Sequence, residues 1–271
     1  MCASVPIRLL AIDLDDTLLT DDLTIPPSAL SAIAAARKKG VRVVVATGRM
    51  FQSALPHARA ANVDGPLITY NGALVRTLDG RTLSHQPIAI AEALELADLA
   101  VEHGLCLNFY IDDELYVSCM DERTDYYLRI SDVSAHVEPD LSRILTTGPT
   151  KALIVDDPQY VQEWRTRLTA RFGERLSITI SKPRFLEIMS PGVSKGVALS
   201  KLAKSLGIEA AHVMVIGDSF NDLPMFAFAG ISVAVGNADP AVQAQADYVV
   251  ASSLEGGVAE AISRFILTPT R

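Results

Sequence analysis

Short apolar runs that break off abruptly into polar residues recur along this chain. Leu9-Leu10-Ala11-Ile12 meets Asp13, with Asp15, Asp16 and Thr17 just beyond. Val41-Arg42-Val43-Val44-Val45-Ala46 ends in Thr47-Gly48-Arg49, and Val213-Met214-Val215-Ile216 ends in Gly217-Asp218-Ser219-Phe220-Asn221-Asp222. Runs this short read as buried strands. Between them lie helical stretches. Pro26-Pro27 opens a helix through Lys39, since proline is tolerated in a first turn. Arg37-Lys38-Lys39 suits that helix's negative end, and Gly40 stops it. Residues 50–62 read as a helix that tolerates Pro56, and Leu67-Ile68-Thr69-Tyr70 as another strand. Alternating βα units predict a parallel sheet with helices on both faces.

Around residue 73 the pattern changes. Leu74 to Leu83 reads as a hairpin turning on Asp79-Gly80. Residues 88–103 form an amphipathic helix that ends at Gly104. Leu105 to Ile111 and Glu114 to Cys119 make a second hairpin around Asp112-Asp113. Pro158 to Phe172 is a further helix, flanked by strands at 151–155 and 176–180. Strand pairs alternating with helices predict an α+β layer. The expected fold is therefore α/β: a Rossmann-like parallel-sheet core, discontinuous over 1–83 and 189–271, with an α+β domain inserted at 84–188.

In open parallel sheets, chemistry sits at the carboxyl ends of strands, which aims Asp13 and Asp15 at a ligand. Like charges this close repel unless a cation sits between them. The functional reading is a metal-assisted nucleophile, Asp13, with an acid/base partner, Asp15; the plain one is a loop of solvated acids. A strand-end hydroxyl (Thr47), a lysine at a helix start (Ser194-Lys195-Gly196) and a second acidic cluster (218–222) are the parts that hold a phosphoryl group and a divalent cation.

With these four motifs in this order, the chain resembles the haloacid dehalogenase superfamily and, within it, the Cof-type phosphatases. Tyr70-Asn71-Gly72-Ala73, Phe185-Leu186-Glu187-Ile188, Val235-Gly236-Asn237-Ala238 and Gly256-Gly257-Val258-Ala259 look like that group's secondary landmarks. Many members carry Gly where Asp16 stands. The resemblance makes the inserted domain a cap, which can close over a core site and exclude water. Asp13 would form an aspartyl-phosphate. Asp15 would protonate the leaving oxygen and then take a proton from water. Asp13, the backbone carbonyl of Asp15, and Asp218 would make an oxygen shell suited to Mg²⁺. Asp222 is a direct or outer ligand, and the outer role is favoured. Thr47, beside Gly48, and Lys195 would hold the phosphoryl oxygens. Asn221 is placed near the same group, with a helix-start asparagine as the rival reading. Asn71-Gly72 fits a substrate contact and a stock turn equally. Arg49, Lys182 and Arg184 are leaving-group candidates, a solvated surface being the better reading for the last two.

Composition narrows the choice. The 271 residues allow one or two domains, and 49% hydrophobic content supplies a sizeable core. A net charge of -8 argues against a nucleic-acid partner, which needs a basic stripe. It also leaves any anion steering to a bound cation and local basic side chains. Cys2, Cys106 and Cys119 are widely spaced, show no zinc pattern and read as free thiols, which fits a reducing cytoplasm. No signal peptide or transmembrane stretch is visible, so no membrane partner is expected and the location is read as cytoplasmic. No oligomeric partner is legible. The five histidines form no metal motif, and Trp164 reads as core of the inserted domain. The expected function is a Mg²⁺-dependent phosphatase for a small phosphorylated metabolite, with the resemblance pointing first to a sugar phosphate. One rival is a phosphomutase or phosphotransferase, told apart by its product. The other is a non-catalytic metabolite-binding protein on the same fold.

Overall fold

The computed structural model describes residues 5–131 and 133–268; Cys2 lies outside them. The chain divides into two compact units, one made by His85–Val193 and the other by the segments on either side.

The first unit starts with β1 (Leu9–Ile12), α1 (Pro27–Lys38), β2 (Arg42–Val45) and α2 (Phe51–Ala60). Helix α1 buries Ala29, Ala32, Ile33 and Ala36, the i, i+3, i+4, i+7 stripe of an amphipathic helix. Then come β3 (Leu67–Thr69), β4 (Leu74–Arg76) and β5 (Thr82–His85). The βα alternation placed Leu67 to Tyr70 in the parallel sheet. Instead β3 belongs to a separate sheet of order β3-β4-β5 and pairs antiparallel with β4. A parallel bridge, Ala46 to Ile68, runs beside the end of β2, with the Thr47 N–H donating to the Ile68 carbonyl at 2.8 Å and the Tyr70 N–H to the Arg49 carbonyl at 2.9 Å. The cause is local: Tyr70, Asn71 and Gly72 all have positive φ (50°, 54° and 102°), which turns the chain back on itself.

The second unit contains α3 (Ile90–His103), β6 (Leu107–Ile111), β7 (Glu114–Val117), α4 (Glu122–Ser131), β8 (His136–Val137), β9 (Lys151–Val155), α5 (Pro158–Phe172), β10 (Ser177–Lys182) and β11 (Phe185–Met189). Its sheet has the order β10-β11-β9-β6-β7-β8. One face, with Leu107, Phe109, Ala152, Ile154, Leu186 and Ile188, packs into a core with Ala93, Leu96 and Ala100 of α3 and with Val161, Trp164 and Leu168 of α5. The β6–β7 hairpin turns on Asp112 and Asp113, both at positive φ, as a two-residue hairpin turn requires. Helix α4 escaped the periodicity because its sequence, ERTDYYLRIS, is mostly polar. Strand β11 lies inside the sheet between β10 and β9. The unit therefore runs on to Val193, past the residue-188 boundary read from the sequence.

The chain returns to the first unit through α6 (Lys195–Ser205), β12 (Val213–Gly217), α7 (Leu223–Phe228), β13 (Ile231–Ala234), α8 (Pro240–Gln243), β14 (Tyr248–Val249) and α9 (Gly257–Ile262). The main sheet is parallel, in the order β14-β13-β12-β1-β2. From β1 the chain goes to β2 on one side and later returns to β12 on the other. The order thus reverses between β1 and β12, and in open α/β sheets the crevice beyond the strand ends at such a switch point is where ligands bind. Among the described residues, no helix is long and apolar enough to cross a membrane.

Candidate active site

Strands β1 and β12 end together, with Ile12 level with Ile216 and the Asp13 amide donating to the Ile216 carbonyl at 3.0 Å. Asp13 is the first residue past β1, and Asp218 the first past β12. Their carboxylates converge with that of Asp222: one oxygen of each lies within 4.8 Å of the others, and all three residues are buried. Lys195 opens α6 behind Ser194, whose hydroxyl accepts the Val197 N–H and caps the helix. The lysine is 1% exposed and donates to Asp13 Oδ1 at 2.6 Å and Asp222 Oδ1 at 2.7 Å.

One buried ammonium thus faces three buried carboxylates, and the electrostatics record the surplus. Burial raises the Asp13 carboxyl; Lys195 offsets part of this, while Asp222 and Asp218 add to it. Burial and Asp222 raise Asp218 too, against hydrogen bonds from Ser219 and Thr17. Burial alone would lower Lys195, but Asp13 and Asp222 hold it above the ordinary lysine value. Negative charge concentrated in an all-oxygen donor set fits a metal site for a hard cation.

Asp222 has a second task. Its Oδ2 accepts the backbone N–H groups of Asp218 at 3.0 Å and Ser219 at 3.1 Å, and it closes a capping box with Ser219. The close approach requires Gly217, since a Cβ there would lie 2.5 Å from Asp222 Oδ2. Asp218 is held by the Thr17 hydroxyl and the Ser219 hydroxyl, each donating at 2.9 Å.

Asp15 faces another way. Its carboxylate is not among the three that converge; Arg49 grips it with Nε at 2.9 Å and Nη2 at 2.5 Å. The sequence offered Arg49 as a leaving-group contact, whereas here its fork is laid on the acid/base candidate. Asp16 has a φ of 58°, a left-handed conformation that glycine adopts freely and aspartate tolerates better than most. Asn237 fixes this turn: its Nδ2 donates to the Asp16 carbonyl at 2.7 Å, while its Oδ1 accepts the Ser253 N–H at 2.8 Å. Sequence reasoning quoted Asn237 only as part of a landmark and gave it no role.

Thr47 is fully buried at the end of β2, and its hydroxyl accepts the Arg49 N–H at 3.1 Å. The turn at Asn71-Gly72 packs against this loop and α6. Asn71 Oδ1 accepts from Asn221 Nδ2 at 3.0 Å. A Cβ on Gly48 would lie 3.1 Å from that same Oδ1, and one on Gly72 would meet the Ser194 carbonyl at 2.3 Å. The turn therefore joins the Thr47, Lys195 and Asp222 segments.

The sequence profile of the haloacid dehalogenase-like hydrolases matches residues 10–262. The chain belongs to that family. Within it the chain falls in the Cof-type group. It is similar to the pyridoxal phosphate phosphatase YbhA of Escherichia coli, at 30% identity over 94% of this chain and 97% of that protein. It is also similar to the 5-amino-6-(5-phospho-D-ribitylamino)uracil phosphatase YcsE of Bacillus subtilis, at 32% identity over 97% of each. A crystal structure of a Thermotoga maritima protein superimposes with a TM-score of 0.88 at 33% identity, covering 95% of this chain and 97% of that one. This haloacid dehalogenase-like hydrolase is a phosphatase, a phosphoric monoester hydrolase. Of its sequence candidates, the first unit gathers Asp13, Lys195, Asp218 and Asp222 into one cluster, Asp15 and Arg49 into a pair, and Thr47, Gly48, Asn71, Gly72 and Asn221 into a buttressing turn. In the second unit, Lys182 is exposed, while Arg184 pairs with Asp157 at 3.1 Å and lies over the Tyr126 ring.

Proposed function

We propose that the chain hydrolyses a small phosphorylated metabolite through a phospho-Asp13 intermediate, with Mg²⁺ as the cation. The observation that carries this is the convergence of Asp13, Asp218 and Asp222 around Lys195 at the switch point of the sheet. Asp13 is the nucleophile: its carboxylate attacks phosphorus, splitting one hard displacement into two easier ones. Asp15, oriented by the Arg49 fork, donates a proton to the departing oxygen and then draws one from the water that cleaves the phospho-aspartate. The Lys195 ammonium and the Thr47 hydroxyl hold the phosphoryl oxygens. Asp13, the Asp15 carbonyl and Asp218 would hold Mg²⁺, with Asp222 orienting the Asp218 loop. Bound there, the ion would neutralise charge on the phosphoryl oxygens.

The relatives named above are called phosphatases of pyridoxal phosphate and of a phosphoribitylamino-uracil, two esters that share little besides a phosphomonoester on a small polar body. This supports a small phosphometabolite, sugar phosphates included, as the substrate. The cytoplasm, where such metabolites are found, is the proposed location. The test is phosphate release from a broad panel of phosphorylated metabolites with Mg²⁺ and with a chelator. Metal-dependent release of free phosphate, ranked by kcat/KM, is expected. Release unaffected by the chelator would remove the metal from the reading, and formation of an isomer without free phosphate would make the protein a mutase.

A further inference from the structure

We propose that Cys106 and Cys119 are a redox-active dithiol, which a peroxide or a small disulfide converts into a cross-strand disulfide within the second unit. The two residues lie 13 positions apart and read in the sequence as separate thiols. The hairpin brings them together. Strands β6 and β7 pair Phe109 with Tyr116 and Asn108 with Val117. One step further, the Ser118 N–H donates to the Leu107 carbonyl at 3.0 Å and the Leu107 N–H to the Ser118 hydroxyl at 3.2 Å. One position beyond these contacts the side chains of Cys106 and Cys119 meet. Cys106 precedes β6 and Cys119 follows β7 by two residues, and the Leu107 N–H also donates to the Leu105 carbonyl at 3.0 Å, a tight turn that carries Cys106 at the hairpin's open end. Both thiols are free, and their sulfurs are 3.5 Å apart.

The surroundings give the two sulfurs different parts. Cys119 is half-buried and meets the oxidant; Cys106 is fully buried. Burial pushes the Cys106 thiol up to about 12, so it waits protonated. Thr124 holds both, its hydroxyl 3.1 Å from Cys106 Sγ and donating to the Cys119 carbonyl at 2.8 Å. With a peroxide, the Cys119 sulfur takes one oxygen, giving a sulfenic acid and a water. Cys106 sulfur then attacks that sulfur, the S–O bond breaks, and the departing hydroxide leaves as water with the Cys106 proton. Two thiols lose two electrons and two protons, and the peroxide becomes two waters. With a small disulfide, two successive exchanges give the same bond and release two external thiols.

Asp121 completes a three-group cluster with the cysteines, which raises a soft metal as the rival. Arg123 argues against it: its guanidinium grips Asp121 at 2.7 Å and would set a second cation beside the ion.

The test uses the full chain. Reduced protein is treated with equimolar hydrogen peroxide or with oxidised glutathione, denatured and alkylated. Reduced chains should take up three alkyl groups, one for each cysteine. Oxidised chains should be about 2 Da lighter before alkylation, take up one group, and yield a Cys106–Cys119 linked peptide that dithiothreitol releases. In Cys106→Ser, Cys119 should retain its sulfenic acid and be trapped by dimedone several-fold more than in the unaltered chain. Linkage through Cys2, a persistent glutathione adduct on Cys119, equal dimedone trapping, or Zn²⁺ blocking alkylation of both thiols at equimolar metal would each overturn the proposal. The mass and the linked peptide need no variant, so a misfolded Cys106→Ser leaves the test standing.

Discussion

Each unit of this protein buries a lysine against carboxylate, and only one of the two lysines stands in the candidate active site. In the second unit, Lys151 is 5% exposed, donates to Glu187 at 3.3 Å and stands 4.8 Å over the Tyr110 ring. Burial would lower its affinity for a proton, and Glu187 more than restores it. Here one buried positive charge meets one buried negative charge. In the first unit, Lys195 meets Asp13 and Asp222 directly, with Asp218 converging on both. Burial is common to the two lysines. What separates them is the charge left over, which a proton or a bound cation can neutralise.

The largest way to test that contrast is Asp13→Asn, which keeps shape and removes the attacking charge. Turnover with Mg²⁺ should fall by about 10⁴-fold or more, with near-native circular dichroism. Near-normal turnover would take the covalent role from Asp13. Next comes a matched pair. Lys195→Met should lower kcat by roughly 10²–10³-fold, as removal of one donor to a developing oxyanion does. Lys151→Met should instead cost about 3–5 kcal/mol of stability in urea unfolding by removing the positive charge that faces buried Glu187. A Lys151→Met/Glu187→Leu double variant should recover most of that stability and turn over a small ester at near the unaltered rate. If Lys151→Met lowered kcat as far as Lys195→Met with stability unchanged, the two lysines would not be different in kind.

A smaller effect concerns the missing positive charge. Mg²⁺ at 100 times its dissociation constant should stabilise the unaltered protein by about 2.7 kcal/mol, read as a rise in Tm. The rise should vanish in Asp218→Ala and survive in Glu187→Gln. Smallest is a pH effect at His57, whose proton affinity is lowered by burial and by Arg49. A histidine depressed in the folded state binds its proton less readily than in the unfolded chain. Stability should therefore fall as pH drops through 6.5 toward the folded pKa, and recover as pH rises. His57→Gln should flatten that part of a Tm-against-pH curve.

Much of this site was legible because strand ends announce themselves. An apolar run broken by Asp13, Thr47 or Asp218 marks both an element and the strand end at which the candidate side chains gather. The partners of those residues were not legible. That Arg49 turns to Asp15, and that Asn71 meets Asn221, depends on turns of positive φ whose direction no hydrophobic pattern encodes. β3 shows the same gap: its composition suits a strand, but Tyr70, Asn71 and Gly72 decide which sheet it joins. Helix α4, with few apolar positions, is held at its start by Asp121 accepting the Arg123 and Thr124 N–H groups and left no periodic trace.

The double grip of Asp222 on the amides of Asp218 and Ser219 has a consequence for how the site moves. Loop amides ordinarily exchange their hydrogens with solvent at the rate of local fraying. These two are tied to one oxygen of a fully buried carboxylate whose other oxygen carries Lys195, which couples their opening to the ammonium. In deuterated solvent they should exchange slowly, nearer to strand β12 than to the neighbouring surface loops. The Asp218 loop and the Lys195 end of α6, which the proposed function assigns to cation and phosphate, would thus move together.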